Sequence, residues 1–480
     1  MSRGKAISGR MASHLLVTAT LVAYANAFHG TFQFDDFGVL QDQRLTGYSV
    51  FLEHFEQTIR PLLRLSFVVD RSLFGENAAG YHMFNLLLHC GSGLLLFAIL
   101  SHTLRRCSIP SAKIFLGVPF WTALLFLLHP LETETVTYIS GRATGLAAFF
   151  SLLALYLFVR AADPELSRRA LVLRYAGCLM SFALALLSKE VAVMLPAAVL
   201  LWWLVFRPHF EEHDGGRRLL HLQLPLWGLM LSAVAVAGLY PRYAYLARAS
   251  LQTRPLYDNL VTQLHAVAYS LSLLFVPSRL NFDHDLPVYH SIMLWPPALS
   301  LALLAGLLVV ALRYLRKAPF FSFGVLWFLI HLLPTDSVVP RYDVLSERNL
   351  YLPSIGILLA VVSVGAQLKS KLAALWPDVV SSAAPVVCAL VVAGLLIATA
   401  DRNRIYHDQV TFWADTARKS PNKARVHNNL GYACAQAGDL DRALSEFRVA
   451  LTLDPDYATA QQNLLNTWME KQRSKEGLNP

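Results

Sequence analysis

Apolar runs of spanning length recur eleven times along the chain, centred on residues 11–28, 83–100, 114–128, 143–159, 171–187, 191–206, 222–240, 298–312, 320–334, 350–367 and 380–400. A membrane-crossing helix needs roughly 20 mostly apolar residues, with a range of about 17–25. The pattern therefore predicts an all-α, polytopic transmembrane helix bundle of about 11 spans. Arg3, Lys5 and Arg10 precede the first run, and no small-residue cleavage site follows it, so it reads as a retained helix. Two long loops interrupt the pattern, 30–82 and 241–297. Both carry proline, aromatic residues and charges, and the first suits short amphipathic helices on the membrane surface.

Lysine and arginine in short loops orient such a bundle. With the N-terminus inside, the inner loops collect Arg105, Arg106 and Lys113; Arg160, Arg168, Arg169 and Arg174; Arg207, Arg217 and Arg218; Arg313, Arg316 and Lys317; Lys369 and Lys371. The short outer loops hold only Arg142, Lys189, Arg341 and Arg348. Residues 260–276 are apolar enough to span, but counting them would put Arg313, Arg316 and Lys317 outside. They read instead as a re-entrant or interfacial helix within an outer loop. An odd number of spans places the tail outside.

Composition agrees. Of 480 residues, 55% are hydrophobic and only 15% charged, with a mean hydropathy of +0.44. Soluble domains run near 45–50% apolar and about 25% charged, so a soluble chain is excluded, and so is a disordered one. The formal charge of +9 fits basic loops that orient the chain in a bilayer rather than a nucleic-acid partner. Cys90, Cys107, Cys178, Cys388 and Cys434 are scattered, with neither metal spacing nor a disulfide framework.

After Ala400 the chain turns polar, which divides it into a membrane domain (1–400) and a tail domain (401–480). In the tail, Leu430-Gly431, Ala443, Phe447, Ala450 and Pro455 fit the 34-residue helix–turn–helix of a tetratricopeptide repeat, with a full repeat at 424–457. Gly438-Asp439 supplies the turn, and His427 and Cys434 stand where Trp and Tyr are usual. A shift of 34 residues maps Phe447 onto Trp413, Pro455 onto Pro421 and Cys434 onto Trp468. One full repeat flanked by half repeats is too few for independent stability, so the array leans on the membrane domain or on a partner. The competing description is an ordinary amphipathic helical pair.

Ionisable groups at a membrane face are costly and usually functional. Phe34-Asp35-Asp36 follows the first span directly. Two adjacent carboxylates repel, and one can have a raised pKa and serve as a base; a solvated loop start or helix cap explains them equally well. The next outer turn reads His129-Pro130-Leu131-Glu132-Thr133-Glu134, then Gly141-Arg142. His129 and Glu132 can be interfacial caps, whereas Glu134 paired with Arg142 would hold a polar pocket together. Ser188-Lys189-Glu190 is either a plain hairpin turn or a lysine aimed at an anion. Arg341 and Glu347-Arg348 precede Tyr351 and Pro353, where snorkelling is the alternative. Taken together, a carboxylate pair and the four cations Arg142, Lys189, Arg341 and Arg348 on one face suit a phosphate-bearing lipid and a hydroxyl acceptor. The aromatic loops suit stacking on a sugar.

Phe34-Asp35-Asp36, His129-Pro130 through Glu134 with Gly141-Arg142-Ala143, Lys189-Glu190, and Glu347-Arg348-Asn349-Leu350-Tyr351-Leu352-Pro353-Ser354 resemble the transmembrane and tetratricopeptide-repeat O-mannosyltransferases of the C-type glycosyltransferase superfamily. The resemblance covers nearly the whole chain. It implies a polyprenyl- or dolichyl-phosphate sugar donor, mannose by family default, and a protein hydroxyl acceptor that the repeat can dock. It further implies Asp35 as the base with Asp36 beside it; the reading of the residues themselves puts Lys189, Arg142, Arg348 and Arg341 on the donor phosphate, with His129, Glu134 and Glu347 supporting the pocket. Thr144 departs from the Asp usual after Gly-Arg-Ala. The short array points to a bacterial relative in the inner membrane with a periplasmic C-terminus; a eukaryotic one would sit in the endoplasmic reticulum with a lumenal C-terminus. No cofactor is implied, although an Asp-Asp pair leaves a divalent cation open.

Two other functions fit the same residues. A ligase or polymerase that moves a whole lipid-linked glycan would centre its chemistry in loop 241–297. A membrane scaffold that recruits proteins through its repeat would make Asp35-Asp36 dispensable. A transporter fits less well, because the acids gather at the outer face rather than in mid-span.

Overall fold

The computed structural model describes residues 9–107, 117–163, 166–210, 216–336 and 338–476. Arg3, Lys5 and Lys113, and the start of the 114–128 run, lie outside the described residues. Within them the chain is a helical bundle. Nine helices are long and apolar enough to cross a membrane: Gly9–His29, Ala78–Arg106, Ile139–Ala161, Arg168–Leu186, Glu190–His209, His221–Leu239, Trp295–Arg313, Glu347–Leu375 and Pro377–Arg404. The shorter apolar helices Val118–Leu128 and Pro319–Leu332 occupy the other two expected positions. Helices dominate because lipid leaves no partner for a backbone N–H or C=O outside its own segment.

Burial sorts these helices into a centre and a rim. Ile139–Ala161, Glu347–Leu375 and Ala78–Arg106 are mostly enclosed, whereas Pro377–Arg404, His221–Leu239 and Trp295–Arg313 are almost bare. The bare surface carries Leu299, Val309, Leu390 and Ile397, all more than half exposed. A soluble monomer does not leave so large an apolar surface to water; lipid tails cover it here. At the centre, Gly324 and Gly356 face each other so closely that a Cβ on Gly324 would lie 2.3 Å from the Gly356 carbonyl oxygen. Small residues of this kind let membrane helices touch backbone to backbone.

The loop after the first span folds into three short helices, Asp36–Gln41, Tyr48–Glu53 and Pro61–Phe74. Proline starts the third at its first turn, where its missing N–H costs nothing. The loop after His221–Leu239 forms Pro241–Thr253 and Leu256–Phe275. The second of these contains the segment expected to be re-entrant or interfacial, and it is not among the nine apolar spans.

The tail folds as Gln409–Lys419, Ala424–Gln436, Leu440–Leu453 and Ala458–Lys475. Gly438 turns the chain at φ 82°, and Asp439 caps the next helix by accepting from the Arg442 N–H at 3.1 Å. Val426, Leu430, Cys434, Ala443 and Phe447 form its core. That core is continuous with Tyr406, Phe412 and Trp413, with Tyr138 from the membrane domain, and with Phe282 packed against it. The array therefore leans on the membrane domain.

Candidate functional site

The turn after the first span delivers an acid to a cavity. Phe34 adopts φ 41°, a left-handed conformation that bulky residues rarely enter. Its ring meets Phe282 and Trp413 edge-on. The next N–H, of Asp35, donates to the Tyr138 hydroxyl at 3.2 Å. The Asp35 carboxylate is left half exposed in the wall of a cavity of about 610 Å³. Arg60, at φ 58°, lines the same cavity and is the other non-glycine residue with positive φ among those described. Strain of this kind persists where the surroundings over-determine it, and it gathers at functional sites.

Six cations, Arg60, Arg64, Lys189, Arg242, Arg341 and Arg348, share the lining with three carboxylates, Asp35, Glu190 and Asp343. Two of those acids are already committed. Glu190 pairs with Arg60 at 2.8 Å and accepts from the Tyr243 hydroxyl at 2.9 Å; Asp343 pairs with Arg425 of the tail at 2.5 Å. Arg64 is held by Asp42 at 2.7 Å. Lys189, Arg242 and Arg341 have no carboxylate within ion-pair distance among the described residues. The lining thus holds more cations than carboxylates, with the buried Asp336 acting on Arg341 and Lys189 from behind.

Lys189 is the most enclosed of these cations. Its ammonium donates to Thr144 Oγ1 at 2.7 Å and to Asn349 Oδ1 at 3.2 Å, both neutral acceptors. Burial holds its pKa well below the ordinary lysine range, and Arg341, Arg348 and Arg60 push the same way. Burial also lowers the pKa of Arg341. An entering anion relieves both.

Arg348 stands between two acids, 3.9 Å from Asp35 and 3.6 Å from Glu134. Glu134 is fully buried and accepts from Ser346 Oγ at 2.9 Å and from the Arg348 N–H at 3.1 Å. Burial raises its pKa, and the Arg348 guanidinium opposes that rise. Asp35, Lys189, Arg341 and Arg348 therefore converge as the sequence predicts, with Glu134 behind Arg348.

Four other expected positions stand elsewhere. Arg142 does not reach the cavity. Its guanidinium is fully enclosed, pairs with Asp70 at 2.5 Å, donates to Asn85 Oδ1 at 2.8 Å and to the Tyr81 carbonyl at 3.0 Å, and stacks between Phe67 and Phe84. Its partner is Asp70 rather than Glu134, whose carboxylate oxygens are taken by Ser346 Oγ and the Arg348 N–H. Asp36 is likewise buried. One of its oxygens accepts from Ser140 N–H at 2.7 Å and Ser140 Oγ at 2.5 Å, the other from Gln33 N–H at 2.9 Å. Burial pushes its pKa up to about 7, against those three donors; Asp35 adds only the smallest contribution. The expected repulsion between the two acids is thus a minor effect, and Asp36 ties the Asp35 turn to Ser140 instead of meeting the cavity.

His129 bonds to the Leu274 carbonyl at 3.0 Å and caps Leu131 N–H at 3.1 Å, so it fastens loop to loop. Glu347 accepts from Asn281 N–H at 2.5 Å, contacts His284 at 2.9 Å and lies 3.5 Å from Arg402. It anchors loop 277–285 to the end of the last span and leaves its neighbour Arg348 to face the cavity.

Arg60, Arg64 and Arg242 were not foreseen, because a count of cations in short loops passes over the two long loops that carry them. The arginine before Pro61 and the one after Pro241 were the available signals, since proline at a first turn fixes where a helix and its flanking charge begin.

Comparison with known proteins follows this geometry. The tetratricopeptide repeat family model matches residues 424–457. A protein O-mannosyl-transferase of Caenorhabditis elegans is 23% identical over 92% of this chain and 63% of its own length. Protein O-mannosyl-transferase Tmtc3 of Drosophila melanogaster and protein O-mannosyl-transferase TMTC1 of Homo sapiens are each 24% identical over 96% of this chain and 57% of theirs. The chain spans about three-fifths of the length of these curated relatives. The crystal structure of ArnT from Cupriavidus metallidurans bound to undecaprenyl phosphate superposes with a TM-score of 0.40 at 19% identity, covering 94% of this chain and 76% of that one. Across most of its sequence the chain is similar to proteins named protein O-mannosyl-transferases, and its tail to the tetratricopeptide repeat.

Proposed function

We propose that the chain is a membrane glycosyltransferase that moves a sugar, mannose by the names of its relatives, from a polyprenyl-phosphate donor to a protein hydroxyl. The observation that carries this reading is the cavity itself, where Asp35, the most exposed of its three carboxylates, shares the lining with Lys189, Arg242 and Arg341, which have no ion-pair partner among the described residues. Asp35 accepts the proton of the acceptor hydroxyl, and the freed oxygen pair attacks the anomeric carbon. The bond from that carbon to the phosphate oxygen breaks, and the lipid phosphate leaves with the electron pair. Lys189, Arg341, Arg348 and Arg242 stabilise its growing charge, an electrostatic contribution that often dominates catalysis. The displacement inverts the anomeric centre.

The face bearing the cavity is the outer one in this reading, because the short loops at the other ends of the spans hold most of the lysine and arginine. The tail lies on the same face, tied to the cavity wall through Arg425 and Asp343. It is therefore placed to present an acceptor protein. In this reading the side-chain cations supply the charge that the leaving phosphate needs.

The test is transfer from a purified polyprenyl-phosphate mannose to an acceptor peptide. A positioned base typically contributes about 10²–10⁴-fold, so Asp35→Asn at matched protein level loses turnover by that order while still binding donor. Wild-type turnover in Asp35→Asn removes Asp35 from the mechanism. A reporter fused after the tail that works only in the cytoplasm reverses the assigned orientation.

A further inference from the structure

The helix Glu347–Leu375 joins two cavities. Arg348 lines the first, and Lys369 and Ser370 line the second. They are roughly 20 residues apart on one helix, which at about 1.5 Å per residue is roughly 30 Å. That is about the depth of a bilayer's hydrocarbon core, so the second cavity opens at the opposite membrane face.

This cavity encloses about 690 Å³. Exposed Arg316, Lys317 and Lys369 rim it, while Phe320 and Phe321 form an apolar wall, and among the described residues none that lines it is a carboxylate. His209 also lines it, with a buried Nε2 that has no hydrogen-bond partner among the described residues. Three cations over an apolar cleft between spans match an amphiphile that has an anionic head and hydrocarbon tails. A small soluble anion would leave the apolar wall unused, and a zwitterionic lipid would bring its own cation against the rim.

We propose that this second cavity binds an anionic glycerophospholipid of the opposite leaflet, its phosphate on Arg316, Lys317 and Lys369 and an acyl chain along Phe320 and Phe321. The occupant would wedge the inner ends of Pro319–Leu332 and Glu347–Leu375, the two helices that cross at Gly324 and Gly356.

The test uses the full chain in detergent, titrated with phosphatidylglycerol, phosphatidylcholine or inorganic phosphate while thermal unfolding is followed. With the first cavity disarmed by Lys189→Gln/Arg341→Gln, phosphatidylglycerol should raise the melting temperature saturably, and the other two should not. Each basic residue near an anionic headgroup changes affinity roughly fivefold, so Arg316→Gln/Lys317→Gln/Lys369→Gln should raise the half-saturating concentration on the order of 100-fold. Ala366→Trp, which fills the apolar part of the cavity without touching charge, should weaken the response too. Lys189→Gln/Arg341→Gln disarms the first cavity and should leave the response intact. Equal stabilisation by phosphatidylcholine or phosphate, a triple variant that responds like wild type, or loss of the response in the first-cavity variant would each overturn the proposal.

Discussion

Lys189 Nζ lies 2.7 Å from Thr144 Oγ1, so the deepest cation of the outer cavity is held by a hydroxyl that cannot neutralise it. Burial and the neighbouring arginines hold its pKa well below the ordinary lysine range, so an anion bound beside Lys189 raises that pKa and couples binding to proton uptake. Donor affinity should therefore fall as pH rises, by up to about tenfold per pH unit for one linked proton, at pH values where an ordinary lysine is still charged. Thr144→Asp places a carboxylate against the ammonium, keeps it protonated and should flatten that slope. The check is the donor KM of both proteins from pH 6 to 9; parallel curves would refute the linkage.

Arg348 faces Asp35 on one side and Glu134 on the other, a geometry that a planar guanidinium satisfies and a single ammonium does not. Arg348→Lys keeps the charge yet should cost roughly 10–100-fold in kcat/KM, the loss of one to two charge-assisted contacts. Full donor affinity and turnover in this variant would show that only its charge matters.

Arg142 should matter for folding rather than for donor binding. Removing one partner of a buried pair leaves the other uncompensated, at about 3–5 kcal/mol. Asp70→Asn should thus lower the melting temperature sharply, while protein that survives purification binds donor with unchanged affinity. A selective loss of donor affinity without loss of stability would return Arg142 to the binding site.

Asp36 gives a pH signature. Its folded pKa of about 7 lies above the ordinary carboxylate value, so its contribution to stability is fully present below about pH 4 and is lost as pH rises through 7. The melting-temperature difference between wild type and Asp36→Asn should accordingly shift in favour of wild type as pH falls from 8 to 5. A difference that does not vary with pH would place the carboxylate in contact with water.

The sequence made the bundle legible because each span must satisfy its own backbone, which leaves a long apolar run wherever a helix crosses. The repeat was legible for a similar reason: Gly431 admits the Phe447 ring at a spacing that a 34-residue register dictates. Side-chain direction was not legible. Asp35 and Asp36 are adjacent, yet about 100° of rotation at the start of a helix separates open cavity from full burial. Arg142 and Arg348 are both single arginines at the start of an apolar run, and only tertiary packing reveals that Asp70 occupies the first. Nothing in a linear pattern shows that Arg60 and Arg242, from loops far apart in the chain, meet across one cavity.

The ring of Tyr138, from the turn beside Asp35, belongs to the same apolar core as Phe412 and Phe447 of the tail. Asp283 binds Lys423 and Arg425 in the same seam. A chain cut near residue 400 would strip the covering from Tyr138 and release Asp343, in the cavity wall, from Arg425. The tail is consequently not a detachable recruiting module. Chimeras that exchange repeats between relatives need to be joined beyond Leu464, the last residue packed against the core that the array shares with Tyr138.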